Sequence, residues 1–284
     1  MWKNSIPLCL PIHLYLRPGH TSTSRKLDLS NAMILTIDHG AVRELQLNRP
    51  PANAFSPELI VALKLAVESA APDGARALVL SGAAGRFSAG LDVPLLLNLD
   101  RSAMSALWRE FYALLRALAL SPIPIAAAMT GHATAGGTVL PIFCDFRVAA
   151  QGDWKLGLNE VQVGLTLPPV IFAGLRRLVG AHQAERLAVG GLLISPVEAA
   201  RIGLVDELVP LDQVVGRAID WSRGLLALPV DAMAATRRRA RADLFEMFAA
   251  SFDLEIDQVN ANWWSPEAQT TLRVLVQRLA KKKA

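Results

Sequence analysis

Two stretches of this 284-residue chain are built largely from small residues and could do chemistry through their main chain. They read GRFSAGLDV (85–93) and GHATAGGTVL (131–140). The first follows the apolar run Ala77–Ser81 and the second follows Ile123–Thr130, and each leads into a helical pattern. Small side chains let a ligand come close to the backbone, and a helix start leaves N–H groups without intrahelical acceptors. Two such loops side by side could aim two N–H donors at one oxygen and hold negative charge as it develops there. Neither loop has the GxGxxG or P-loop spacing, so dinucleotide or nucleoside triphosphate binding is not supported. Taken singly, each also reads as a plain tight turn.

Few side chains offer a second reactive group. Glu160, in LGLNEVQVG, reads by residue type alone as an exposed carboxylate at a helix entry. Asp92 fits a cap of the next turn as well as it fits a ligand contact, and Asp145 is expected to be a structural, hydrogen-bonded acid. His132 reads as an ordinary polar residue, while His39 and His182 have no partner at metal or triad spacing. Ser81 and Ser88 have no evident base and lie outside a GxSxG elbow. The two cysteines, Cys9 and Cys144, match no metal or redox spacing, which suits a reducing compartment. Cys144 in the run IFCDFRV reads as a small buried hydrophobe. Arg237, Arg238, Arg239 and Arg241 would spread over several faces of a helix, as solvated or subunit-contact residues. Trp263 and Trp264 read as packing or subunit contacts.

The elements that must position these residues follow from the pattern. Ile34–Asp38 and Arg43–Leu47 read as short strands flanking Gly40. Ser56 followed by Pro57 is a helix start, with Leu59, Ile60, Leu63, Val67 and Ala70 at helical spacing behind it. A long amphipathic helix carries Met104, Leu107, Trp108, Phe111, Leu114, Leu115 and Leu118. Pro124–Met129 and Cys144–Ala149 read as further buried strands, and strands alternating with helices predict βαβ units with right-handed crossovers. From Pro169 onward the pattern is mostly helical, ending in a helix after Ser265-Pro266 that carries Leu272, Leu275, Val276 and Leu279.

Hydrophobic residues make up 52% of the chain, enough for a sizeable core. A formal net charge of +4 suits a small polyanionic ligand and falls short of a nucleic-acid-binding signature. No apolar run reaches the roughly 18 residues of a membrane span, so a soluble protein is expected. Residues 1–32 are cationic, rich in Ser and Thr, and fit a transit segment or an extended start with Met33 as initiator. They are expected to lie outside the fold, with a core over 33–225 and a helical region over 226–284. The corresponding location is cytoplasmic, or mitochondrial if the leader is a transit peptide.

Four motifs in this order and spacing, PPANAFSPEL, GRFSAGLDV, GHATAGGTVLPIFCDFRVA and LGLNEVQVGLTLPP, resemble the crotonase (enoyl-CoA hydratase/isomerase) superfamily over about residues 33–284. The resemblance implies an α/β fold, with a spiral ββα core and C-terminal helices that pack against neighbouring subunits in trimers or dimers of trimers. It implies an acyl-CoA thioester substrate, with CoA entering as part of that substrate and no metal or nicotinamide required. It further implies that the N–H groups of Ala89 and Gly136 hold the thioester oxygen. Phe87, Ala89, Gly90, Leu91, Asp92 and Val93 would line the CoA and acyl path, with Ala52 and Ala54 near the CoA. No nucleic acid or membrane partner is implied.

The same resemblance bears on the reaction. Hydration in this family uses two glutamates, and the matching positions here are Val139 and Glu160. One carboxylate suffices to move a double bond: it removes a proton from C2 and returns it at C4 while the N–H pair holds the dienolate. GLNEVQVG, PPANAFS and FSAGLD also look like the Δ3,Δ2-enoyl-CoA isomerase branch, which gives Glu160 the catalytic role. Hydratase, thioester hydrolase or decarboxylase chemistry, and a non-catalytic acyl-CoA-binding paralogue, remain as rivals. Ala135 stands where many members have glycine and is expected to narrow the site, and Pro168-Pro169 to reshape the acyl pocket.

Overall fold

Nine strands and twelve α-helices form in the computed structural model, which describes residues 33–281. The expectations for the leader and Cys9 lie outside those residues. The hairpin start is present as β1 (Ile34–His39) and β2 (Val42–Leu47), paired antiparallel. Beside β2 the sheet continues in parallel through β3 (Ala77–Ser81), β5 (Ile125–Met129), β7 (Phe146–Ala150) and β9 (Glu207–Val209). β3, β5 and β7 are buried along their whole length, which is why their sequences read as continuous apolar runs rather than alternating ones.

Three short strands split off from the ends of this sheet. β4 (Gly85–Ser88), β6 (Gly131–Thr134) and β8 (Leu156–Gly157) form a second parallel sheet in that order. Both small-residue loops therefore leave the same small sheet side by side. The segment that carries Glu160 leaves it from the neighbouring strand.

The helices begin where local chemistry says they should. α1 (Pro57–Ala70) starts with Pro57 at its first position, and the Ser56 hydroxyl accepts from the Leu59 N–H. α2 (Val93–Leu96) is capped by Asp92 and α3 (Arg101–Ala119) by Asp100. α4 (Gly136–Ile142) rises from the second loop. α5 (Pro169–Val179), α6 (Ala181–Gly190), α7 (Pro196–Arg201) and α8 (Val214–Leu226) follow. The last third is helical as expected: α9 (Val230–Ala240), α10 (Ala242–Met247), α11 (Asp253–Trp263) and α12 (Pro266–Lys281).

One expectation needs correcting. Arg237 and Arg241 are not solvated. Arg237 forks onto both oxygens of Asp145 at 2.8 Å, and Arg241 reaches the same carboxylate at 3.0 Å and the Phe143 carbonyl at 2.7 Å. A buried guanidinium is tolerable only when its donors are matched in this way. Within the chain, α11 packs on α3, and α12 on α2 and the turn at Glu160. Among the described residues no helix is long and apolar enough to cross a membrane.

Candidate active site

The first loop is held in place by the segment before α1. The Ala89 N–H donates to the Ala52 carbonyl at 3.0 Å, Phe55 N–H to the Gly90 carbonyl at 2.7 Å, and Asp92 N–H to the Phe55 carbonyl at 3.0 Å. The Gly90 N–H donates to the Ser88 hydroxyl at 3.1 Å. This corrects the expectation for Ala89: its N–H already has an acceptor and cannot serve a ligand oxygen. The N–H left without an acceptor among the described residues is that of Leu91, two positions on, and Leu91 lines the cavity.

Gly136 lies at the start of α4, where a helix N–H has no intrahelical partner, and it lines the same cavity. The two loops touch: a Cβ on Gly90, at φ +78°, would come within 2.8 Å of the Gly136 nitrogen. Glycine at 90 therefore lets the first loop pack directly against the Gly136 amide. Ala135 holds φ +49° and ψ −123°, a conformation that favours glycine, and it lies on the cavity wall as its expected narrowing role requires.

Glu160 opens a single 3-10 turn, Glu160–Val163, just after β8. That strand is tied to the second loop: the Ala135 N–H donates to the Gly157 carbonyl at 2.8 Å, and the Gly157 N–H to the Thr138 hydroxyl at 2.9 Å. The carboxylate is not exposed. Its Oε2 is buried without a hydrogen-bond partner among the described residues, and burial pushes the pKa up to about 7, with the residue's own N–H pulling it slightly back. This is desolvation of a charged group by apolar walls. Val139, also on the wall, is fully buried.

These groups share one cavity of about 630 Å³. Of the expected contact residues, Ala52, Ala54, Ala89, Leu91, Asp92, Val93 and Gly136 line it. Phe87 and Gly90 do not. Phe87 is fully buried in the core, with its carbonyl accepting from the Asn53 side chain, and its side chain has no path to a ligand. Asp92 is occupied twice, accepting from the Leu95 N–H and pairing with Arg49 at 2.6 Å, so it is a cap. That leaves Glu160 as the cavity acid without a cationic partner. Pro168 lies on the wall, as its expected effect on the pocket requires.

The remaining candidates take structural places. Asp145 anchors Arg237 and Arg241, the Ser81 hydroxyl donates to Glu44, and His39 bonds the same Glu44. His132 accepts from the Lys155 N–H. Cys144 is buried, and burial pushes its thiol up to about 12, so it is inert. Trp263 is fully buried and Trp264 lies under the Arg101 guanidinium.

The far wall was not identified from sequence. Trp108 and Phe111 of α3, Val259 of α11, and Leu275, Val276 and Leu279 of α12 line the cavity. Their helical spacing was legible, but an apolar face turned to a cavity has the same period as one turned to the core.

A family model described as enoyl-CoA hydratase/isomerase matches residues 38–273. The human protein named "Enoyl-CoA delta isomerase 1, mitochondrial" is 28% identical over 258 residues, covering 89% of this chain and 85% of that one. A Mycobacterium avium protein named "Probable enoyl-CoA hydratase echA17" is 33% identical over 204 residues, covering 72% of this chain and 79% of that one. The crystal structure of human mitochondrial Δ3-Δ2-enoyl-CoA isomerase superposes with a TM-score of 0.84 at 28% identity, covering 89% of this chain and all of the other. With paired loops, a buried carboxylate and this match over most of its length, the chain belongs to the enoyl-CoA hydratase/isomerase family of crotonase-fold enzymes, near its isomerase branch.

Proposed function

We propose that this enzyme is a Δ3,Δ2-enoyl-CoA isomerase working with one carboxylate. Ionised Glu160 removes a proton from C2 of a 3-enoyl-CoA. The electron pair forms a C1–C2 double bond and the carbonyl pair moves onto the thioester oxygen, where the Leu91 and Gly136 N–H groups hold the charge of a dienolate whose C3–C4 double bond is still in place. The same carboxyl then gives its proton to C4, leaving a C2–C3 double bond and an ionised Glu160. The observation that carries this reading is, among the described residues, one unpaired carboxylate in an apolar cavity, raised to about 7, with the apolar Val139 on the wall at the position the family resemblance gives to a second acid. A base with a pKa near working pH is well matched to moving a proton both ways.

Ala52, Ala54, Ala89 and Val93 line the approach and suit a CoA thioester, with CoA acting as substrate rather than cofactor. The apolar wall from Trp108 to Leu279 suits a fatty acyl chain. The assembly is a homotrimer or hexamer, in keeping with the family resemblance.

Hydration is the second reading, favoured by the name of the 33% identical mycobacterial relative. Incubation with 3-hexenoyl-CoA and with crotonyl-CoA separates the two. Isomerisation of the first is expected, and turnover of crotonyl-CoA alone would reject it. Glu160→Gln is expected to lower isomerase kcat by roughly 10²–10⁴-fold with the fold intact. Activity near wild type would remove Glu160 from the mechanism.

A further inference from the structure

The proposed oxyanion site has two N–H donors, and one of them sits on a loop that is not a helix end. Something outside the cavity must therefore fix its direction. From Ala89 to Val93, every N–H except that of Leu91 has an acceptor: Ala52 carbonyl, Ser88 hydroxyl, Phe55 carbonyl and, for Val93, the Leu91 carbonyl. Most of these ties lead back to the segment around Asn53. Asn53 is buried and holds φ +49°, a left-handed conformation that asparagine tolerates better than most residues. Its side-chain oxygen accepts from the Arg49 N–H at 2.9 Å and its side-chain nitrogen donates to the Phe87 carbonyl at 3.0 Å. Its own carbonyl accepts from the Ser88 hydroxyl at 2.7 Å, and that hydroxyl oxygen accepts from the Gly90 N–H. The last link ends one residue before Leu91. The second loop closes on the same point: a Cβ on Gly137 would lie 2.2 Å from the Ser88 carbonyl oxygen.

We infer that Asn53 and Ser88 are positioning residues for the oxyanion site, a buried relay that turns the Leu91 N–H toward the thioester oxygen beside the Gly136 N–H. Neither lines the cavity, so they act on the reaction only through the loop. The relay is polar where packing alone would be satisfied by apolar groups, and polar networks of this kind fix one geometry rather than add bulk stability. The inference rests on the proposed role of the Leu91 and Gly136 amides.

Two variants test it: Asn53→Gly, which keeps the left-handed conformation and removes the amide, and Ser88→Ala, which breaks the last link. The direct readout is the infrared carbonyl stretch of bound, carbonyl-labelled hexanoyl-CoA, a saturated thioester that binds without reacting. Wild type and Glu160→Gln should both shift this band to lower frequency on binding. Both relay variants should lose most of that shift, with kcat on 3-hexenoyl-CoA falling roughly 10–100-fold and KM nearly unchanged. A wild-type band that does not move overturns the oxyanion site itself. A wild-type shift that Asn53→Gly and Ser88→Ala retain in full overturns the relay alone. Loss of binding and of cooperative melting along with kcat in both variants would make these residues merely structural and also overturns it.

Discussion

At the scale of single residues, the buried carboxyl sets the pH behaviour. In the proposed reaction Glu160 must be ionised to accept a proton, and its pKa is raised from 4.5 to about 7. kcat/KM is therefore expected to rise from the acid side, reach half its maximum near pH 7 and level off above it. Stability runs the other way. Below pH 4.5 the carboxyl is neutral folded and unfolded; between 4.5 and 7 the unfolded chain ionises first, so stability falls as pH rises through the folded pKa. Glu160→Gln lacks this loss and should be more stable than wild type by about 3 kcal/mol above pH 7, with no difference below pH 4.5, measured by urea denaturation across pH. Ala135 is a second residue whose conformation has a cost. At φ +49° and ψ −123°, glycine in its place would relieve strain of about 1–3 kcal/mol against an unfolded-chain penalty of about 0.5–1 kcal/mol. Ala135→Gly is expected to raise Tm by about 2 °C per kcal/mol gained, by calorimetry. That Glu160 and Gly136 would come to one cavity was legible because their motifs carry their environment with them. The first-loop amide left free was not: which N–H between Ala89 and Leu91 stays free depends on the Ala52 carbonyl, more than thirty residues earlier, and on the Ser88 hydroxyl, which is itself held by the Asn53 carbonyl.

At the scale of elements, the strands and caps were legible because local chemistry decides them. Ala77–Ser81 is a strand at those limits, and Ser56-Pro57 starts α1. The split of β4, β6 and β8 into a separate sheet was not, because strands of two to four residues are too short to show a period. The arginine run on α9 was misjudged for a related reason: helical spacing says which faces the residues occupy, not what those faces meet. Here they meet Asp145, which also accepts from the Ile125 N–H that opens β5 at 2.9 Å. Asp145 thus joins α9 and the Arg241 turn to the central sheet. Asp145→Ala would strand two largely buried guanidinium groups and should cost about 3–5 kcal/mol. The checkable outcome is a lower urea midpoint with an unchanged slope, and kcat of the folded enzyme near wild type, since Asp145 is not on the catalytic cavity wall.

At the scale of the whole molecule, alternating strands and helices announced the α/β class, and four motifs in fixed order announced the family. The composition of the cavity was hidden because its walls come from α3, α11 and α12, far apart in sequence, and only folding brings them opposite the two loops. That far wall has a consequence for any assembly of several copies. The residues proposed to hold charge and move the proton, and the helix α12 that lines the cavity opposite them, are present together within one polypeptide. Copies placed together would then behave as independent workers. In oligomers mixed from wild type and Glu160→Gln, specific activity should fall in straight proportion to the inactive fraction; a curve bending below that line would mean that neighbours lend each other parts.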